Sequence, residues 1–257
     1  IGTNDDSVNG SYNYASWNWK ANGAGSANTD GDINSTVSAN TTSGFSIVNY
    51  TGTLSGSGNP TVGHGLGVAP AAIIIKSASN GENWGVQHTS LPANYLLQLN
   101  TTSAQINSAS QGTLTAPTSS VFTVNYSGEW GNSGQNYIAY CFAEKQGFSK
   151  FGSFTASNPC FVYTGFKPAF VILKRYSATG NWSILDNKRA NSFNPQDPLY
   201  ANATDAEQTS DDYDLVSNGF VIRNASGGGG GDSGSMLYMA FAEEPLVSTN
   251  GIPATAR

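Results

Sequence analysis

The side chains with catalytic potential are few, and they form no recognisable set. Carboxylates gather at Asp205, Glu207, Asp211, Asp212 and Asp214. Two carboxylates can hydrolyse a glycosidic bond when one protonates the leaving oxygen and the other attacks or activates water. These acids sit in a polar stretch that reads as a solvated loop. His64 and His88 are isolated, and each reads as structural. No nucleophile elbow occurs. Gly63-His64-Gly65-Leu66-Gly67 lacks the Lys-Ser/Thr of one phosphate-binding loop and the following helix of the other. The residues therefore predict no enzyme and no catalytic residue.

Two groups could bind rather than react. Asn28-Thr29-Asp30-Gly31-Asp32-Ile33-Asn34 places acid and amide oxygens around a glycine, so Asp30 and Asp32 are candidate calcium ligands. The glutamate that closes such a loop is missing, and no other cofactor is implied. Cys141 and Cys160 with two histidines lack the paired spacing of a zinc site. Both cysteines fit buried thiols, and spacing does not establish a disulfide between them. The second group is aromatic, with 5 Trp, 12 Tyr and 12 Phe. Aromatic faces stack on sugar rings while Asn, Ser and Asp side chains bond the hydroxyls. Trp130, in the turn Ser127-Gly128-Glu129-Trp130-Gly131, is expected to be exposed. With Tyr95, Tyr200 and Tyr213 it forms the candidate ligand-binding set.

The totals exclude some partners. A net charge of −6 argues against nucleic acid, which needs clustered Lys and Arg. No apolar run reaches the roughly 20 residues of a membrane-spanning helix. Charged residues make up 11% of the chain, against roughly 25% in an average soluble protein. Asn, Ser, Thr and Gly supply the polarity instead, which favours strands and turns over helices. The chain begins with Ile and shows no signal peptide, as a fragment or processed product would.

These residues must be positioned by a repeated framework. Pro70-Ala71-Ala72-Ile73-Ile74-Ile75-Lys76, followed by Asn83-Trp84, recurs 98 residues later as Pro168-Ala169-Phe170-Val171-Ile172-Leu173-Lys174, followed by Asn181-Trp182. The proline opens a strand, where its missing N–H does least harm. The run after it is apolar on both faces, as an interior strand requires. Trp84 and Trp182 are expected at equivalent core positions. Ile138, Tyr140 and Phe142 alternate, as do Leu237, Met239 and Phe241; each set marks a half-buried closing strand. Trp17 and Trp19 alternate likewise, so residues 9–20 are expected to be a further strand, either the end of a preceding unit or one that pairs elsewhere in this chain. Residues 21–43 read as a polar linker. Gly44-Phe45-Ser46 pairs with Gly147-Phe148-Ser149, and the glycine run Gly227 to Gly231 is expected to be an exposed hairpin tip.

The prediction is an all-β chain of two tandem homologous β-sandwich units of about 100 residues each, with an N-terminal strand and linker. Residues 1–43 precede the units, 44–146 form the first, 147–246 the second, and 247–257 a tail. A single sandwich sharing strands between repeats is the alternative.

Tyr14-Ala15-Ser16-Trp17-Asn18-Trp19-Lys20-Ala21-Asn22-Gly23, Val62-Gly63-His64-Gly65-Leu66-Gly67-Val68-Ala69-Pro70, Tyr140-Cys141-Phe142-Ala143-Glu144 and Gly147-Phe148-Ser149-Lys150-Phe151-Gly152 together resemble repeat domains of marine bacteriophage tail-fibre-like structural proteins. The resemblance runs from Tyr14 to about Glu243. It implies a virion-surface fibre or adhesin segment, and it carries no catalytic residue to transfer. The resulting expectation is a non-enzymatic module that binds host surface carbohydrate. The alternative is a spacer or decoration module that assembles as a homo-oligomer such as a trimer. A polysaccharide-degrading enzyme is a third reading, supported by the loop acids alone.

Overall fold

The computed structural model describes residues 13–189, 197–209, 212–224 and 234–243. The glycine run, Asp211, residues 9–12 and the tail lie outside these residues. Strands dominate, with one short 3-10 turn at Ala109–Gln111 and no α-helix among the described residues.

The first half contains β1 (Ser26–Asn28), β2 (Ser35–Asn40), β3 (Phe45–Thr51), β4 (Thr61–Gly63), β5 (Ala72–Ser77), β6 (Gly85–His88), β7 (Tyr95–Gln98), β8 (Ile106–Asn107), β9 (Val121–Thr123) and β10 (Asn136–Phe142). The second contains β11 (Ser149–Thr155), β12 (Cys160–Tyr163), β13 (Pro168–Arg175), β14 (Trp182–Asp186), β15 (Leu199–Tyr200), β16 (Tyr213–Val216), β17 (Gly219–Ile222) and β18 (Ser235–Ala242). The large sheet of the first half runs β1-β2-β3-β10-β5-β6-β7-β8, and that of the second runs β11-β18-β13-β14-β15. The order β3-β10-β5-β6-β7 is thus matched, strand for strand, by β11-β18-β13-β14-β15. A small sheet backs each half, β4-β9 in one and β12-β17-β16 in the other.

Alternation along the central strands builds three cores. In β5, Ile73 and Ile75 face the core of the first half, while Ala72 and Ile74 face the opposite way. In β18, Met236, Tyr238 and Ala240 face the core of the second half, while Leu237, Met239 and Phe241 face away from it. The outward faces of both large sheets meet in one cluster that includes Phe45, Ile74, Phe142, Phe170, Ile172 and Phe241. The large sheets are therefore packed face to face, and the halves share a core. A strand apolar on both faces is what such a central layer demands.

Two expectations fail at the N-terminus. Residues 13–20 form no strand. Residues 21–43 are not merely a linker, because β1 and β2 lie within them and β2 pairs with β3 along its whole length. A strand at a sheet edge is held by backbone hydrogen bonds and needs few large side chains. Within β1 and β2 Val37 alone supplies a sizeable buried apolar group, with Ile33 buried between the two strands. The register also departs from the sequence match by one residue. Ala143 N–H donates to Gly44 O at 2.7 Å, and its counterpart Ala242 N–H donates to Phe148 O at 2.8 Å. Gly44 thus corresponds to Phe148 in the fold, not to Gly147.

Candidate binding cleft

Residues 13–20 cross the end of the shared core as an extended strap. Trp17 and Trp19, two apart, project to one side, as extended backbone dictates. The Trp19 ring meets Phe142 at 5.7 Å, Phe170 at 5.3 Å and Phe241 at 5.3 Å, each steeply inclined. Trp17 lies 5.4 Å from Phe170 and donates its indole N–H to Asp186 Oδ2 at 3.1 Å. Beyond the tryptophans, β2 holds the strap. Asn40 Nδ2 donates to Lys20 O at 3.0 Å, and Asn22 N–H donates to Ser38 Oγ at 3.0 Å.

Strap and body enclose a cleft of about 1150 Å³. Its apolar lining comes from Trp17, Trp19, Phe148, Phe170 and Phe241. Asn18, Asn40, Thr42, Ser43 and Gln146 supply amides and hydroxyls. The charged lining is Lys20, Lys145, Asp186, Lys188, Arg189 and Glu243.

Asp186 is the hub of the cleft's polar network. Its Oδ2 also accepts from Arg189 Nε at 2.6 Å, and its Oδ1 accepts the backbone N–H of Lys188 at 2.9 Å. Arg189 continues to Glu207 Oε1 at 2.6 Å, and its guanidinium carbon stands 5.9 Å from the Trp17 ring centroid. Burial pushes the Asp186 carboxyl up, but the bonds from Arg189 and Lys188, the guanidinium charge and the Trp17 indole outweigh it and hold it below the usual range. Glu243 is lowered by its bonds to the Lys188 ammonium and to Asn187. Both cleft carboxylates are thus kept ionised and occupied by donors.

The sequence-predicted site residues fall elsewhere. Trp130, expected to be exposed, is fully buried in the core of the first half. Its ring fits over Gly85, where an added Cβ would lie 3.1 Å from the indole, and its carbonyl accepts the Tyr50 hydroxyl at 2.6 Å. A turn rich in glycine can fold its one large side chain inward once a bare backbone slot faces it. Tyr213 is also buried, because its strand is sandwiched into the core of the second half. Tyr95 and Tyr200 are half-buried on β7 and β15. None of the four lines the cleft.

Asp32 accepts the Thr61 N–H at 3.0 Å and the Thr61 hydroxyl at 2.8 Å, while Asp30 accepts Asn28 Nδ2 at 2.8 Å. Gly31 between them lies against β4, where a Cβ would come within 2.6 Å of Thr61 O. The Asp-Gly-Asp pattern thus docks a loop on a strand. Among the described residues, no cluster of three His, Cys, Asp or Glu side chains is arranged to hold a metal. Cys141 and Cys160 are free thiols, and burial pushes Cys141 up to about 12. Of the loop acids, Glu207 is bound to Arg189, and buried Asp214 pairs with Arg223.

The cleft residues Asp186 and Arg189 escaped sequence reasoning. One signal was present: Asp186 stands 98 residues after His88, a polar group at a strand position where the repeat buries its side chain.

No curated protein and no solved structure matches the chain. A family model described as a domain of unknown function (DUF7483) matches residues 1–245, across both halves, and the chain belongs to that family.

Proposed function

We propose that the chain is a non-enzymatic fibre or adhesin segment of a virion surface that binds host surface carbohydrate in the strap cleft. The observation that carries this reading is the pairing of aromatic rings with a rim of amides and hydroxyls in one cavity. Rings supply stacking surface for sugars, and the rim supplies directional bonds to their hydroxyls. The volume is slightly above the roughly 300–1,000 Å³ of small-molecule sites, which suits more than one sugar ring. The state of the carboxylates favours binding over hydrolysis. A glycosidase needs one carboxyl protonated near neutral pH, and both Asp186 and Glu243 are shifted the opposite way.

A glycan array probed with the intact chain tests the proposal. Binding to a defined saccharide class, weakened about tenfold or more by Trp17→Ala, is the expected result. An array without signal, or reducing ends released from host polysaccharide, would reject it.

A second reading, a spacer that assembles as a homo-oligomer such as a trimer, is favoured by one feature of the second half. In the first half β2 covers β3, and Ile33 bridges to Val62 of β4. In the second half β11 and β12 are the edges of their sheets, and Phe161 and Tyr163 on β12 are 52% and 64% exposed. Light scattering that returns a monomer mass at high concentration would exclude this arrangement.

A further inference from the structure

We infer that the cleft takes an acidic saccharide, with its anionic group held between Lys20 and Lys145; this rests on the reading of the cleft as a saccharide site. The chain carries 11 Lys and Arg against 17 Asp and Glu. Among the described residues, four cations nevertheless line this one cavity, beside two acids. Both acids are already neutralised, Asp186 by Arg189 and Glu243 by Lys188. Lys20 and Lys145 are left with no carboxylate partner among the described residues. The acid adjacent to Lys145, Glu144, is bound to Lys150 at 2.9 Å.

The two lysines are fixed where they enter the cleft. Lys145 N–H donates to Ser149 Oγ at 2.9 Å, and Lys145 O accepts Ser149 N–H at 2.8 Å. Its stem lies over Gly44, where a Cβ would sit 2.9 Å from Lys145 Cγ. Lys20 is held through its carbonyl by Asn40. Ammonium groups without a carboxylate partner among the described residues, lining an aromatic cavity, give a net positive local field in an otherwise negative chain. Such a field attracts anions from solution and is attenuated by salt beyond roughly 10 Å at 0.1 M. A sugar that carries a carboxylate or sulfate can lay its ring on the indoles and direct its charge to the lysines. A neutral sugar satisfies only the first requirement.

The test is calorimetric titration of the intact chain with three oligosaccharides of equal length: a polyuronate, its carboxyl-reduced neutral counterpart, and a sulfated neutral sugar. At low salt one acidic form is expected to bind at least about tenfold more tightly than the neutral form. Carboxylate and sulfate as sources are distinguished by which acidic arm binds. Lys20→Gln with Lys145→Gln is expected to remove most of that preference without lowering Tm, since both side chains lie at the surface; each single variant removes part of it. Equal affinity for acidic and neutral forms overturns this inference and leaves the saccharide reading standing. Undiminished preference in the double variant overturns it as well. Absence of binding in all three arms overturns both.

Discussion

At the scale of residues, the halves solve the same backbone problem with different charges. In the first, His88 Nδ1 accepts the Ser90 N–H at 3.1 Å. In the second, Asp186 Oδ1 accepts the Lys188 N–H, also two residues on, at 2.9 Å. Imidazole and carboxylate both offer the acceptor this turn needs. The carboxylate also attracts Trp17 and Arg189, and so creates a polar site that His88 cannot. His88 instead points Nε2 at Tyr238 O, 3.2 Å away across the shared core, and burial drives its imidazole down to about 4. An unfolded histidine titrates near 6.5. Since the folded value is the lower one, the unfolded chain takes up this proton first as pH falls. Stability is therefore fully present above about pH 6.5 and declines towards pH 4, by about 3 kcal/mol from this residue. Denaturant titrations at pH 7.5, 5.5 and 4 should show that decline, and His88→Gln should flatten it. An unchanged pH slope in the variant would assign the acid sensitivity elsewhere.

At the scale of elements, the turn after the central strand is built the same way in both halves. Lys76 Nζ donates to Asn80 O and Glu82 O. Lys174 Nζ donates to Gly180 O, the equivalent of Glu82 O, and to Thr102 O of the first half at 3.0 Å. After each turn the tryptophan backbone N–H donates to an asparagine Oδ1: Trp84 to Asn100 at 3.0 Å and Trp182 to Asn202 at 2.7 Å. The turns match and both tryptophans pack on the shared core, but to different depths and with different partners. Trp182 is fully buried and donates its indole N–H to Gln98 O of the first half, whereas Trp84 is half-buried and stacks on Tyr140. Lys174 is thus both a turn anchor and a latch between the halves, and Lys76 is only the former. Lys174→Met should cost about 1–3 kcal/mol, because two carbonyls lose the charged donor that a fully buried lysine supplies. Lys76→Met, at a half-buried site, should cost clearly less. Equal losses in thermal or denaturant unfolding would show that the latch contributes nothing beyond the turn.

At the scale of the whole molecule, the shared core makes the halves interdependent. Either half alone would leave one face of its large sheet, including Ile74 and Phe142 or Ile172 and Phe241, open to water. An apolar patch of that kind on an isolated domain drives association. The intact chain should therefore unfold in one cooperative step, with calorimetric and van't Hoff enthalpies in a ratio of about 1. Residues 44–146 and 147–243, expressed separately, should aggregate or lack fixed tertiary structure by near-ultraviolet circular dichroism. Two resolved transitions in the intact chain would instead make each half a folding unit of its own.

The sequence by itself determined the all-β class and the two recurring central strands, because these rest on local periodicity and turn chemistry. Alternation of apolar residues also revealed that Leu237, Met239 and Phe241 share a face, and it revealed the same for Ile138, Tyr140 and Phe142. What that face meets is a question of distance in space, and no period encodes it. Only tertiary structure placed one large sheet against the other. Only there did Gly85 open the slot that takes in Trp130, and only there did Trp17 reach Asp186, 169 residues on, and the neighbouring Arg189 at the end of the shared core. An aromatic in a turn can face water or a cavity with the same local backbone, so burial is decided by the partner surface and not by the turn.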